Sequence, residues 1–183
     1  MLLKIRELLD SDTTSLMDIY QESSKNNVSY FFPEIIDIEE GIKKANKAYL
    51  EYIRNDFLKR NNTCYYIWKD NGIWVSAMRL YKIKGSIYFM EALETHPLYR
   101  KRGHAEKLIS SVIEELKQDG DFEMRSYVNI NNVASRRTHI KCGFEESSES
   151  VFDYANNEWV NDAILLIYRF DIYKIYVYYT KRI

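Results

Sequence analysis

Three cations and a glycine, Arg100, Lys101, Arg102 and Gly103, stand between an apolar run ending at Thr95 and a helical pattern beginning at Ala105. A turn of this kind can hold an anion. The first backbone N–H groups of a helix lack an internal partner and carry the positive end of the macrodipole, so a diphosphate can sit on them where no side chain intervenes. Gly103 removes that side chain, and the cations favour an anionic ligand over a neutral one. Past the turn, Ala105, Leu108, Ile109, Val112, Ile113 and Leu116 recur at helical spacing, while Glu106, Lys107, Glu114, Glu115 and Lys117 fill the other face. The turn therefore opens an amphipathic helix that packs on a sheet. Taken alone, it is equally a strand-to-helix connection with exposed basic residues.

A second segment follows at 132–144, Asn-Val-Ala-Ser-Arg-Arg-Thr-His-Ile-Lys-Cys-Gly-Phe. By itself it reads as a short helix, with Asn132 suited to the N-cap and Gly143 to the residue after the C-cap. In order along the chain, the two segments resemble those of the GNAT acyltransferase superfamily. Residues 100–105 match its Q/R-x-x-G-x-G/A signature, preceded by the His96-Pro97 pair that commonly ends the fourth strand of that family. Residues 132–144 resemble its N-x-x-A/S-x-x-x-x-x-K-x-G-F segment at Asn132, Ser135, Lys141, Gly143 and Phe144. The resemblance covers residues 62–170, and residues 1–61 match it in pattern only.

The resemblance implies an α/β fold: a central, mostly antiparallel sheet, splayed between its fourth and fifth strands and flanked by helices. It implies direct acetyl transfer from acetyl-CoA to a primary amine, with the pantetheine arm lying in the splay. By matching positions, Arg100, Lys101, Arg102, Gly103, His104 and Ala105 take the diphosphate. Strand backbone at Leu93, Glu94 and Thr95 takes the pantetheine amides, and Asn132 and Ser135 also touch the cofactor. His104 offers stacking more readily than proton transfer, and His96 is the residue before a proline.

Three chemical tasks follow: fixing the cofactor, removing a proton from the acceptor ammonium, and stabilising the departing sulfur. Family members often place a carboxylate base on the fourth strand, where this chain has Glu91 and Glu94. A regular strand points the two to opposite faces, but the family's strand carries a bulge near the cofactor, so alternation does not choose between them. Glu91 is preferred; an exposed or salt-bridged carboxylate is the competing reading. Many members place a tyrosine near the sulfur at the position of His139, and an imidazole can also donate there. The competing reading of His139 is a histidine on a helix surface. Tyr30, Phe31, Phe32 and Glu34 lie where the family shapes its acceptor pocket, and aromatic walls beside a carboxylate suit a cationic amine. The same residues could equally anchor the first two helices. A small-molecule amine is the first expectation for the acceptor, a protein N-terminus or lysine the second, and a non-catalytic acyl-CoA-binding module the reading from another class.

The elements that position these residues are legible in the pattern. Leu2–Leu8 reads as a first strand, and Asp12 as the cap of a helix reaching about Gln21. Residues 23–37 form a polar and then aromatic connection ending in Asp37, which with Glu40 resembles a capping box. The next helix carries Ile38, Ile42, Ala45, Tyr49, Tyr52 and Ile53 on one stripe and continues to about Arg60. Asp70-Asn71-Gly72 between two aromatic and β-branched runs is a hairpin signal, and Lys84-Gly85 turns into a strand at Ser86–Glu94. Phe122–Val128 is the fifth strand, parallel to the fourth in a right-handed crossover. Ser148–Tyr154 and Ala163–Phe170 read as a terminal hairpin. Residues 171–183 form a β-prone extension, whose apolar run Ile172–Tyr179 needs a pairing partner. Its own sheet edge and a homodimer both satisfy it, with the homodimer slightly preferred.

Composition fits one domain spanning 1–183: 46% hydrophobic and 29% charged, with no repeats or low-complexity tracts. Lys and Arg number 26 against 27 Asp and Glu, a net charge of −1, so nothing favours nucleic acid as a partner. Cys64 and Cys142 are far apart and lack metal-ligand spacing; both are expected to be core thiols, no metal is expected, and a reducing cytoplasm is the expected location. No run approaches a membrane span.

Overall fold

Residues 1–154 and 157–172 are described in a computed structural model, the side chain of Tyr30 excepted. Contacts gather the chain into two compact units, Met1–Arg79 with Ala92–Leu108, and Leu80–Glu91 with Ile109–Ile183. The architecture is mixed α/β, with a mostly antiparallel sheet and helices.

In the first unit, β1 (Leu2–Ile5) runs antiparallel to β2 (Thr63–Asp70), with Leu2 opposite Trp68 and Ile5 opposite Tyr65. β2 turns into β3 (Ile73–Lys84) through Asn71 and Gly72, both at positive φ, 45° and 85°. That pair gives the primed turn whose twist matches flanking strands, as the sequence implied.

Helix α1 spans Thr13–Phe31, well beyond Gln21. Leu16, Tyr20, Ser24 and Val28 are buried one turn apart, so packing carries the helix through a polar run where propensity alone would end it. Tyr30 and Phe31 therefore belong to the last turn of α1 and not to the connecting loop, which begins at Phe32. Asp12 sits in a short 3-10 turn (Asp10–Asp12) and makes no side-chain cap. Asp37 does cap α2 (Ile38–Asn55), accepting from the N–H of Glu39 at 2.9 Å and of Glu40 at 3.3 Å. α2 stops before Arg60; a 3-10 turn at Phe57–Lys59 buries Phe57 in its place.

The second unit contains the parallel pair. β4 (Ile87–Thr95) meets β5 (Phe122–Asn129) only from Ile87 opposite Glu123 to Phe89 opposite Arg125. β5 then pairs antiparallel with β9 (Ala163–Phe170) over the full length of both strands. α3 (His104–Lys117) buries Ile109, Val112, Ile113 and Leu116 in this unit, and α4 (Val133–Lys141) follows β5.

The expected terminal hairpin is corrected. The partner of β9 is β6 (Glu145–Ser147), with Glu145 opposite Ile167. β7 (Val151–Asp153) pairs instead with β8 (Glu158–Val160) in a separate two-stranded sheet. Val151 and Val160 pack against Leu165 and Ile167, so this ribbon is anchored by apolar contact while β6 occupies the hydrogen-bonding edge. Cys64 is buried as expected, whereas Cys142 is only half-buried. The β-prone segment after Ile172 lies outside the described residues. No helix among the described residues is long and apolar enough to cross a membrane.

Gly41 of α2 packs against Val28 of α1: a Cβ there would stand 2.3 Å from Val28 Cγ1. Alanine favours an isolated helix over glycine by about 1 kcal/mol, but overpacking against a stiff β-branched side chain costs roughly 1–3 kcal/mol. Gly41→Ala is therefore expected to lower the thermal midpoint, measured by calorimetry, and a raised midpoint would contradict this packing.

Candidate functional site

β4 ends in a strained, closely held stretch. Ala92 has φ 50°, a left-handed conformation that interrupts the pleat between Glu91 and Glu94. Beyond it, in the first unit, the carbonyl of Ala92 accepts from the Tyr20 hydroxyl at 2.6 Å and that of Glu94 from Ser76 Oγ at 2.7 Å. Ser76 Oγ also lies 3.1 Å from Thr95 Oγ1, and His96 N–H donates to the Val75 carbonyl at 2.9 Å. Leu93, Glu94 and Thr95 are half-buried.

The Glu94 carboxylate is engaged on both oxygens. Ser23 Oγ donates to Oε2, and Arg100 Nη2 stands 3.4 Å from Oε1. Burial, outweighing the Ser23 hydrogen bond and the Arg100 charge, raises its pKa. Arg100 also donates to the Thr95 carbonyl at 3.1 Å and pairs with Glu22 at 2.5 Å. The first cation of the signature is thus a strut joining the turn, β4 and α1; all three cations, Arg100, Lys101 and Arg102, are exposed.

After a 3-10 turn at Pro97–Tyr99, the chain curls through Lys101 at φ 61° and Gly103 at φ 75° before α3 begins at His104. Only glycine tolerates such φ without strain, and a Cβ on Gly103 would meet nothing within 4 Å. The space beside Gly103, just before the helix, is therefore open. The Arg102 guanidinium stacks 5.2 Å from the centre of the Tyr99 ring. His104 is buried, and neither ring nitrogen has a hydrogen-bond partner; Asp70 Oδ2 stands 3.9 Å from Nε2. Burial lowers its pKa, opposed by Asp70. Ala105 is half-buried in the first turn of the helix.

In the second unit, Glu91 is half-buried on β4. Asn132 caps α4, its side chain accepting from Ser135 N–H at 3.1 Å. His139 Nδ1 donates to the Ser135 carbonyl at 2.8 Å, and the ring meets Phe144 edge-on at 5.2 Å. The imidazole is 1% exposed, and burial lowers its pKa. With the proton on Nδ1, Nε2 is an acceptor, and it has no hydrogen-bond partner. Of the acceptor-loop candidates, Phe31 and Glu34 are exposed and Phe32 is half-buried. The described residues hold no cluster of three or more His, Cys, Asp or Glu fit for a metal ion.

The structure brings Glu94 and Arg100 together, and Ser135 and His139 together. Sequence reasoning missed Tyr20, Glu22, Ser23 and Ser76, which hold the end of β4. Their local pattern carried no signal, since they act on residues far along the chain. One consequence is measurable. A carboxyl whose pKa is raised on folding contributes stability at low pH that is lost as pH rises through its folded pKa. Relative to Glu94→Gln, the wild type is expected to lose stability as pH climbs above the ordinary value of 4.5. Parallel denaturation curves across that range would contradict it.

A model described as the acetyltransferase (GNAT) family matches residues 16–144. Aminoglycoside N(6')-acetyltransferase type 1 of Serratia marcescens is 38% identical over 66 residues, 36% of this chain and 45% of that protein, so the match spans under half of the relative. The PaiA N-acetyltransferase of Thermoplasma acidophilum, solved in complex with coenzyme A, superposes with a TM-score of 0.60 at 15% identity, covering 93% of this chain and 99% of that one. The ribosomal-protein-alanine N-acetyltransferase of Brucella melitensis gives 0.58 at 15% identity, covering 92% and 99%. At such identities the superpositions show a shared fold. With the family model spanning well over half of its length, the chain belongs to the acetyltransferase (GNAT) family.

Proposed function

We propose that this chain transfers the acetyl group of acetyl-CoA to the primary amine of a small molecule. The observation that carries the reading is the open turn at the start of α3, with Lys101 and Gly103 at positive φ and free space over Gly103. The N–H groups that follow fit a diphosphate, and the exposed Lys101 and Arg102 add charge beside them. Main-chain groups of Leu93, Glu94 and Thr95 hold the pantetheine amides, and Asn132 and Ser135 provide further contacts from α4. Acetyl-CoA supplies an activated thioester carbonyl.

Glu91 is the base in this reading, accepting a proton from the acceptor ammonium directly or through a water. Ser23 and Arg100 engage the Glu94 carboxylate, which fits a structural role at the end of β4. His139 has a packing role: its Nδ1 proton is engaged by the Ser135 carbonyl, and its burial disfavours the imidazolium. Phe31, Phe32 and Glu34, with Tyr30, border the acceptor. A small-molecule amine is favoured by the Serratia relative, an aminoglycoside N(6')-acetyltransferase that shares sequence with this chain, whereas the ribosomal-protein enzyme shares the fold alone.

Calorimetry is expected to show saturable acetyl-CoA binding, weakened at least ~10-fold by Gly103→Trp in a folded sample. No binding by the wild type would remove this reading. With an amine panel as acceptors, Glu91→Gln is expected to slow thiol release by about 10²–10⁴-fold. Binding without release on any amine would favour a non-catalytic acyl-CoA module, and release only with peptide amines would favour a protein acceptor. His139→Phe is expected to leave the pH profile of kcat unchanged; loss of a titrating limb would restore the histidine as the acid.

A further inference from the structure

We propose that Tyr20 is a positioning residue for acetyl-CoA binding: its hydroxyl holds Ala92 in the left-handed conformation that sets the path of the main chain through Leu93–Thr95 into the phosphate turn. The claim rests on the acetyl-CoA reading above and adds to it a residue outside both signature segments. Alanine at φ 50° is in a region that L side chains rarely adopt, and such a residue persists only where its surroundings impose it.

The surroundings impose it here through hydroxyl groups. Tyr20 Oη donates to the carbonyl of Ala92 itself, at 2.6 Å. Ser76 takes the Glu94 carbonyl and Ser23 the Glu94 carboxylate, so they act after the reversal and not on it. Tyr20 is a rigid post for this purpose. It is 6% exposed, its ring lies 5.4 Å from that of Tyr49, and the Tyr49 hydroxyl in turn meets the Tyr65 hydroxyl at 2.7 Å. Burial and the neighbouring Tyr49 push the Tyr20 phenol well above its ordinary range, so it remains a donor wherever the protein is folded. A phenylalanine would fill the same space, and only the hydroxyl reaches the carbonyl.

A rescue separates the hydroxyl from the packing. Glycine adopts positive φ without strain, so Ala92→Gly should relieve the need for the Tyr20 latch. Four proteins are compared, wild type, Tyr20→Phe, Ala92→Gly and the double variant, by thermal midpoint and by calorimetric Kd for acetyl-CoA. Tyr20→Phe is expected to lower the midpoint by about 4 °C and weaken acetyl-CoA about tenfold. Ala92→Gly alone should stay within about twofold of wild type in Kd. In the double variant Kd should return to within about threefold of wild type, and the loss of midpoint caused by Tyr20→Phe should shrink. Tyr20→Phe binding as wild type does, or effects in the double variant that simply add, would overturn the proposal. Failure of the wild type to bind acetyl-CoA would overturn the reading of the site and, with it, the claim that Tyr20 serves binding. The thermal cycle needs no ligand and still decides the latch, coupling supporting it and additivity overturning it.

Discussion

The end of β4 is held by side-chain hydroxyls of the first unit. Tyr20, Ser23 and Ser76 converge on Ala92–Thr95, and Arg100 ties the turn that follows to both Thr95 and Glu22. A half-buried strand end with unsatisfied carbonyls would be costly, and an alanine at positive φ adds to that cost. These hydrogen bonds offset both. They leave the main chain entering α3 in a defined path. The aliphatic and aromatic core supplies the rest of the stability.

Charge is divided to the same end. Of the three exposed cations in the turn, Arg100 pairs with Glu22 and Glu94, while Lys101 and Arg102 lie beside the helix N-terminus. The planar guanidinium suits the strut because it can reach a carbonyl and two carboxylates at once. Glu94 shows the opposing cost: even with Arg100 and Ser23 beside it, burial dominates and its pKa rises. Elsewhere in the first unit a guanidinium is held by rings, with Arg79 lying 5.7, 5.3 and 5.4 Å from the centres of Tyr49, Tyr52 and Phe57.

The legible parts of the sequence were those with strong local grammar. The Asn71-Gly72 hairpin, the Asp37 cap, the stripe of α3 and the Asn132 cap all appear where residue type and spacing placed them. The interruption of β4 was implied only through the family resemblance, because alanine at position 92 carries no sign of positive φ. What was not legible depends on distant partners. α1 continues through a polar run because Ser24 and Val28 are buried, and β9 chooses β6 over β7 because Val151 packs on its face instead of bonding to its edge. Arg100 and His139, whose types alone suggest chemistry, are held by neighbours; no periodicity announces that Glu22 will meet Arg100 or that the Ser135 carbonyl will take the imidazole proton.

The central claim is that the backbone N–H groups opening α3 receive the diphosphate of acetyl-CoA. Backbone amide shifts of the isotopically labelled protein, followed by NMR during titration with acetyl-CoA, test it most directly. The account predicts saturable shifts that are largest at Gly103, His104 and Ala105. Saturable binding that leaves those amides unmoved while others shift would contradict it.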